Sequence, residues 1–273
     1  MVFLEETIVM RVTTCSKRLI LESCGLEDLV YQVDPYVGCG HYCSYCYALN
    51  HAETDWREEV RVHEDLSGRL FHELLTIPPQ TIYMGYNSDP YQPVEAEQRQ
   101  TRKALELFVE TGHSASFLTK SDLFARDFDL LTRMEDARVS ISVAFNDDAT
   151  RRLFEHDTTP TEMRMDALKQ AQDAGLQTSA LLCPIIPYVT DAMELLDSLA
   201  PVTDTIWVYG LTIRDRNGLN WKNVEAILAG HYPANRKRIE EVVFDREHAY
   251  WRDLRTRLEK AQLTMKPELK IHI

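Results

Sequence analysis

Along the chain, short β-rich runs alternate with runs whose apolar positions recur at helical spacing. Residues 29–36 read as a strand leading into a cysteine-rich loop, and residues 42–52 as a short helical segment. Leu66, Leu70 and Leu74, with Phe71 beside them, put one apolar face on a helix over 66–76, which Pro78 and Pro79 stop. The pattern then predicts a strand at 81–85, a helix at 95–111 ended by Gly112, a strand at 115–119 and a helix at 123–134. A strand at 138–145 follows, then a helix at 161–174 with Thr161 as cap and Gly175 as stop. Strands at 176–182 and 205–209 flank a helix at 191–199, and from about residue 220 the chain reads as helical, most strongly over 246–263.

Strand–helix alternation of this kind predicts parallel strands joined by right-handed crossovers, an α/β fold. The strand at 138–145 says more. Val139, Ile141 and Val143 fall on one face, Ser140 and Ser142 on the other, and Ile206 and Val208 oppose Trp207 and Tyr209 in the same way. An open doubly wound sheet is covered by helices on both faces and should be apolar on both. One apolar and one polar face suit a barrel, closed or nearly so, with helices outside and a polar ligand inside. No Ser/Gly-rich linker, composition shift, fixed-period repeat or low-complexity segment divides the 273 residues, which predicts one domain over 1–273. Its core is expected at about 29–214 and a C-terminal helical extension at about 220–273.

Composition narrows the function classes. Apolar residues are 44% and charged residues 27%, as in a globular protein. Lys plus Arg total 30 against 43 Asp plus Glu, a net charge of −13, so the basic footprint of a nucleic-acid binder is absent. The basic run Arg236, Lys237, Arg238 and the trio Arg252, Arg255, Arg257 lie among Glu240, Glu241 and Asp253 and read as solvated helix faces. No Gly-rich phosphate loop of the dinucleotide or P-loop kind is present among the 10 glycines. The longest apolar stretch, 180–189, is interrupted by Pro184 and Pro187 and is too short to span a membrane. The first residues carry acidic charge where a signal peptide needs basic charge, which predicts a cytoplasmic protein.

Three of the six cysteines, Cys39, Cys43 and Cys46, fall within eight residues, between a strand and a helical segment. Three thiolates on one loop suit a soft metal centre. With His41 or His51 as a fourth ligand they would make a structural zinc site; alone, they would make a 4Fe–4S cluster with one iron left open to bind a ligand. Cys15, Cys24 and Cys183 are scattered and do not form a second close set; Cys183, ending a strand, is placed to reach the cavity or to pack as a small hydrophobe.

The run VDPYVGCGHYCSYCYA, with its C-x-x-x-C-x-aromatic-C spacing, resembles the cluster loop of the radical S-adenosylmethionine (SAM) superfamily, and more narrowly the branch of spore photoproduct lyase and the "DNA repair photolyase" proteins. Supporting matches follow in chain order: the run from Asn87 to Glu95, Thr119-Lys120-Ser121, Ser140-Ile141-Ser142 and Pro184-Ile185-Ile186-Pro187, so that the resemblance covers about residues 19–214. It implies a partial (β/α)6, TIM-like barrel with N- and C-terminal extensions and a cluster at the C-terminal mouth of the strands, the end where parallel barrels carry their active sites.

By that resemblance Cys39, Cys43 and Cys46 ligate three irons, and SAM chelates the fourth through its amino and carboxylate groups. An electron from the cluster then cleaves SAM to methionine and a 5′-deoxyadenosyl radical, which takes hydrogen from a substrate. Tyr45 borders the adenine, Ser88 and Asp89 receive the SAM ammonium, Lys120 meets the carboxylate, and Ser142 touches the carboxylate or ribose. The competing structural readings are a core tyrosine, an Asn-Ser-Asp-Pro turn, a solvated strand-end lysine and a hydroxyl bonded to its own barrel. Tyr91, Glu95, Arg164, Trp207, Tyr209 and Arg214 are candidates for the substrate side, Trp207 and Tyr209 also for barrel filling and Arg164 for a surface ion pair. Where spore photoproduct lyase has a radical-relay cysteine, this chain has Tyr86. That departure and the net charge point to a small-molecule or peptide substrate rather than DNA, with an electron donor such as flavodoxin or ferredoxin and no membrane partner. DNA repair, and a non-catalytic protein with a structural zinc, are the alternatives.

Overall fold

The structure, a computed structural model, describes residues 10–16 and 19–273. The acidic N-terminal stretch read for its charge lies largely outside them. The strands are β1 (Arg11–Cys15), β2 (Leu21–Ser23), β3 (Tyr31–Val33), β4 (Tyr36–Val37), β5 (Glu59–His63), β6 (Thr81–Met84), β7 (Ser114–Thr119), β8 (Arg138–Val143), β9 (Gln177–Ile185), β10 (Thr205–Gly210) and β11 (Glu268–His272). Eight of them form one sheet in the order β11-β10-β9-β8-β7-β6-β3-β2, parallel from β3 to β11 with β2 antiparallel at one edge. Among the described residues β2 and β11 remain the two edges, so the barrel is partial.

The alternation read from the sequence sets which face is which. Ile82, Phe117, Val139, Ile141, Ala180, Leu182, Ile206 and Val208 are at most 1% exposed and pack outward against the crossover helices, through Leu105 and Phe108, Leu168 and Ala171, and Leu195 and Leu196. Burying each large aliphatic or aromatic side chain contributes about 1.5–3 kcal/mol, which makes this face the principal core. The inner face carries hydroxyls, with Ser140 and Ser179 on neighbouring strands hydrogen-bonded at 2.6 Å. Residues at or just beyond the C-terminal ends of β6 through β10 line one cavity, so the sheet curls around it.

Several elements differ from expectation for local reasons. The helix expected at 42–52 is a turn followed by a 3-10 helix, Tyr47–His51. The helix expected at 95–111 is broken by Arg99, whose φ of 53° separates Glu95–Gln98 from Gln100–Thr111. The Glu95 carboxylate turns onto the second piece and accepts from the amides of Thr101 (2.9 Å) and Arg102 (3.2 Å), where a helix N-terminus favours negative charge. The helix at 123–134 is a 3-10 turn, Leu123–Asp127, running into Phe128–Leu131. Pro160, not Thr161, caps the helix Thr161–Asp173; Thr161 donates instead to the Phe145 carbonyl at 3.1 Å. Beyond the helices Leu219–His231, Arg236–Phe244 and Ala249–Gln262, the segment expected to stay helical ends in β11, a parallel partner of β10. A small second sheet has the order β1-β5-β4, and its strand β4 leads into the cysteine loop. No helix among the described residues is long and apolar enough to cross a membrane.

Candidate functional site

The cysteine loop begins where β4 ends. Gly38 has φ +92°, and a Cβ there would lie 3.2 Å from the Glu59 carbonyl and the Trp56 ring, so this position takes glycine for both conformation and space. The buried Gln92 amide grips the loop at two points, donating to the Gly38 carbonyl (2.9 Å) and accepting from the Gly40 amide (2.8 Å). On the other side Cys43 bridges to Glu155, and the Ser44 amide donates to the Phe154 carbonyl at 2.7 Å. Inside the loop Tyr42 N reaches the Cys39 carbonyl and Cys46 N the Cys43 carbonyl.

This fixed loop closes the mouth of the half-barrel over a cavity of about 340 Å³. Cys39, Cys43 and Cys46 all line it, together with Tyr45, Ser88, Asp89, Lys120 and Ser142, so the residues predicted for the cluster and for SAM come to one place. Cys183, Tyr86 and Tyr209 line it as well. Tyr91 and Glu95 do not: Tyr91 packs in the core between Phe117 and Phe124, and Glu95 is wholly buried on Tyr36, Arg126 and the helix amides. Arg164 is neither a substrate group nor a surface residue but is buried behind the cavity. Trp207 stacks on His272 of β11, and Arg214 lines a neighbouring cavity. Cys15 sits in β1 beside His63, and Cys24 lies between β2 and β3, outside the cavity lining.

The three thiols form no disulfide; Cys39 meets the backbone at Asp89 and His41, and Cys46 meets it at Ala48 and Leu49. Burial first, then the Asp89 charge, pushes Cys39 up to about 12; burial likewise raises Cys43 and Cys46. Such thiols stay protonated until a cation joins them, which is the chemistry of a metal-ligand set. The geometry distinguishes two occupants. His51 lines the neighbouring cavity, not this one, and His41 directs Nδ1 to the Asp157 carbonyl at 2.7 Å and Nε2 toward Asp89 at 3.3 Å without an aligned hydrogen bond. Neither imidazole is aimed at the sulfurs as a fourth zinc ligand. No three Cys, His, Asp or Glu side chains among the described residues converge on one point. A cubane takes one thiolate per iron at separate corners, and three sulfurs from one loop fit that donor set.

Around the thiols the charged groups are held in place. Burial pushes the Asp89 carboxyl up, but His41, the Thr119 hydroxyl (2.7 Å) and the Lys120 amide (2.8 Å) more than reverse this and hold it at about 2. Glu155, fully buried, accepts from the Tyr45 hydroxyl and pairs with Arg164 at 2.6 Å. Burial opposes its ionisation, and Arg164 and Lys120 overcome that, lowering its pKa. Arg164 also donates to the Ser142 carbonyl at 2.6 Å, so one buried ion pair ties the cysteine loop to the end of β8. The Ser88 and Ser142 hydroxyls each donate to a backbone carbonyl, of Tyr36 and Cys183, at 3.0 Å, leaving oxygen lone pairs toward the cavity. Asp34 fastens the loop after β6 by accepting from the Asn87 amide (2.9 Å) and side chain (2.7 Å). Lys120 differs from all of these: its ammonium has no hydrogen bond or ion pair among the described residues and stands 5.9 Å from the centre of the Tyr45 ring. Burial works against its charge, and Cys43, Glu155, Cys183 and Asp89 outweigh that and raise its pKa.

Sequence reading did not find Glu155, Gln92, Asp34 or Thr119. Each acts on a partner at least 30 residues away, and only the placement of Asp34, Gln92 and Thr119 within recognised runs gave any signal.

Comparison with known proteins places this site in context. The profile described as Radical SAM superfamily matches residues 33–199. An uncharacterized protein of Mycobacterium tuberculosis, Rv2578c, is 30% identical over 201 residues, which cover 67% of this chain and 59% of that protein. Spore photoproduct lyase of Clostridium acetobutylicum is 25% identical over 180 residues, covering 64% of this chain and 52% of the lyase. The chain thus spans between half and two thirds of the length of these two relatives. Among solved structures, a spore photoproduct lyase double mutant with bound AdoMet and dinucleoside spore photoproduct superposes with a TM-score of 0.67 at 16% identity, over 95% of this chain and 80% of the other, a likeness of fold.

Proposed function

The chain belongs to the radical SAM superfamily, and from that premise we propose that its mouth cavity holds a 4Fe–4S cluster on Cys39, Cys43 and Cys46 and binds SAM beside it. When bound, the pair supplies reductive cleavage of the sulfonium and a radical able to take hydrogen from a substrate. The protein's own part is binding, orientation and exclusion of water.

One observation carries the reading. Three disulfide-free thiols and an ammonium with no hydrogen bond or ion pair among the described residues share a cavity in which Asp89 already has its partners. Lys120 is the point charge left for a carboxylate. Asp89, ionised at any physiological pH, sets a negative field beside the Ser88 oxygen, where an ammonium is stabilised. Tyr45, clamped by Glu155, holds an aromatic face toward an adenine. Ser142, anchored on the Cys183 carbonyl, offers lone pairs to the ribose or carboxylate.

We read the substrate as a small molecule or peptide and the compartment as the reducing cytoplasm, with a flavodoxin or ferredoxin as donor. The kinship with spore photoproduct lyase keeps a DNA lesion as the second reading, against which stand the −13 charge and Tyr86 in the cavity wall. The test is anaerobic reconstitution with iron and sulfide, followed by SAM and dithionite. Formation of 5′-deoxyadenosine is expected; a cluster that assembles and never cleaves SAM refutes the proposal.

A further inference from the structure

Beside the cluster cavity lies a second cavity of about 900 Å³. The two share Tyr47, Tyr86 and Thr212 in their walls, so they adjoin, this vestibule on one side and the cluster cavity on the other. Its size is that of small-molecule sites, which run to about 1,000 Å³. Asn50, Asn217 and Asn220 give it a hydrogen-bonding lining, and Asn50 and Asn220 are bonded to each other at 3.1 Å, which pins the start of the helix Leu219–His231 to the cysteine loop.

Two arginines set its charge. Arg214 lines the vestibule, and Arg246 reaches the same wall by donating to the Thr212 hydroxyl. Among the described residues neither guanidinium has a carboxylate within 4 Å, although the chain carries 43 acidic residues. Neighbouring arginines are treated differently: Arg216 pairs with Glu240 and covers Phe244, and Arg236 pairs with Glu225. Burial first, and the Arg214 charge second, lower the Arg246 pKa, so the two cations stand within repulsive range of each other. The other charged groups here are His51 and Asp215, and Asp215 is turned onto the Asn217 amide at 2.8 Å.

We infer that the vestibule takes a small polar substrate by an oxyanion group, a carboxylate or a phosphate, held between Arg214 and Arg246 beside Thr212. The inference rests on the radical SAM reading only for what happens next: an acid group fixed at Thr212 leaves the rest of the molecule pointing past Tyr47 and Tyr86 into the cluster cavity. Arginine suits this task because its planar fork matches both oxyanions.

The test is calorimetric titration of the reconstituted protein, saturated with SAM, with inorganic phosphate and separately with glutarate at low salt. At least one anion should bind, and Arg214→Gln with Arg246→Gln should weaken it about tenfold or more. Lys169→Gln, on a distant helix surface, should leave binding unchanged. The stronger of the two anions identifies the oxyanion class. Absence of binding by both, equal binding by the double variant, or phosphate and glutarate binding that appears only without SAM would overturn the inference. Because heat is read without turnover, failure of SAM cleavage in the separate assay would refute the cluster reading and leave this result standing on its own.

Discussion

The two adjoining cavities are built on opposite principles. In the inner one almost every charge is buried and matched: Asp89 by three donors and His41, Glu155 by Arg164, Tyr45 and Thr158. Around the outer one Arg214 and Arg246 stand at the surface with no carboxylate within 4 Å among the described residues. A buried network cannot lose a member without stranding another, so it fixes geometry. Exposed side chains on loops can change without cost to the fold, so they are where a substrate is selected. Under the proposed function, this contrast separates a fixed chemistry inside from an adjustable recognition outside.

Substitutions can break the contrast in graded steps. The largest effect is expected from Cys43→Ala: with one corner ligand gone, iron and sulfide analysis after anaerobic reconstitution should find no stable 4Fe–4S cluster, whereas the fold should persist by circular dichroism. Next is Arg164→Ala, which strands the buried Glu155 carboxylate and frees the Ser142 carbonyl. Loss of about 3–5 kcal/mol is expected in denaturant unfolding. An effect below about 1 kcal/mol would mean that the pair does not tie the loop to β8.

Asp89→Asn should cost less and should show in the pH profile. The folded pKa of Asp89, about 2, lies below its ordinary value of 3.8. Its contribution, roughly 2 kcal/mol, is therefore present above about pH 4 and is lost as pH falls toward about 2. The variant should be less stable at neutral pH by about that amount and should converge with the parent in acid. A constant gap across the range would assign the loss to packing instead. Smallest is Lys169→Gln, which removes an exposed pair with Asp173 on a helix outside both cavities. About 0.5 kcal/mol or less is expected by thermal denaturation.

What the sequence showed and what it hid follow the same division. Alternation in Val139, Ser140, Ile141 and Ser142 announced a sheet with one apolar and one polar face because strand geometry is local. The cysteine spacing put three thiols on one loop at the cavity for the same reason. β11 was hidden because five residues, Glu268–His272, gain strand character only by pairing with β10, about 60 positions earlier in the chain. Arg164 read as a surface residue because helical periodicity reports the face of a helix, not the carboxylate waiting behind it. The helix break at Arg99 was equally silent, since the Glu95 contacts that cap the second piece depend on the turn itself. The unpaired state of Lys120, Arg214 and Arg246 is a property of surroundings and had no local trace.

The account turns on a cluster held by three side chains with one iron free to take SAM. Electron paramagnetic resonance of the reduced, reconstituted protein measures this directly, before and after addition of SAM. The account predicts a cubane signal whose g-values shift on SAM binding, and no shift in the Cys43→Ala protein. A reduced cluster with a spectrum indifferent to saturating SAM, or purified protein carrying one zinc and no sulfide, would contradict it.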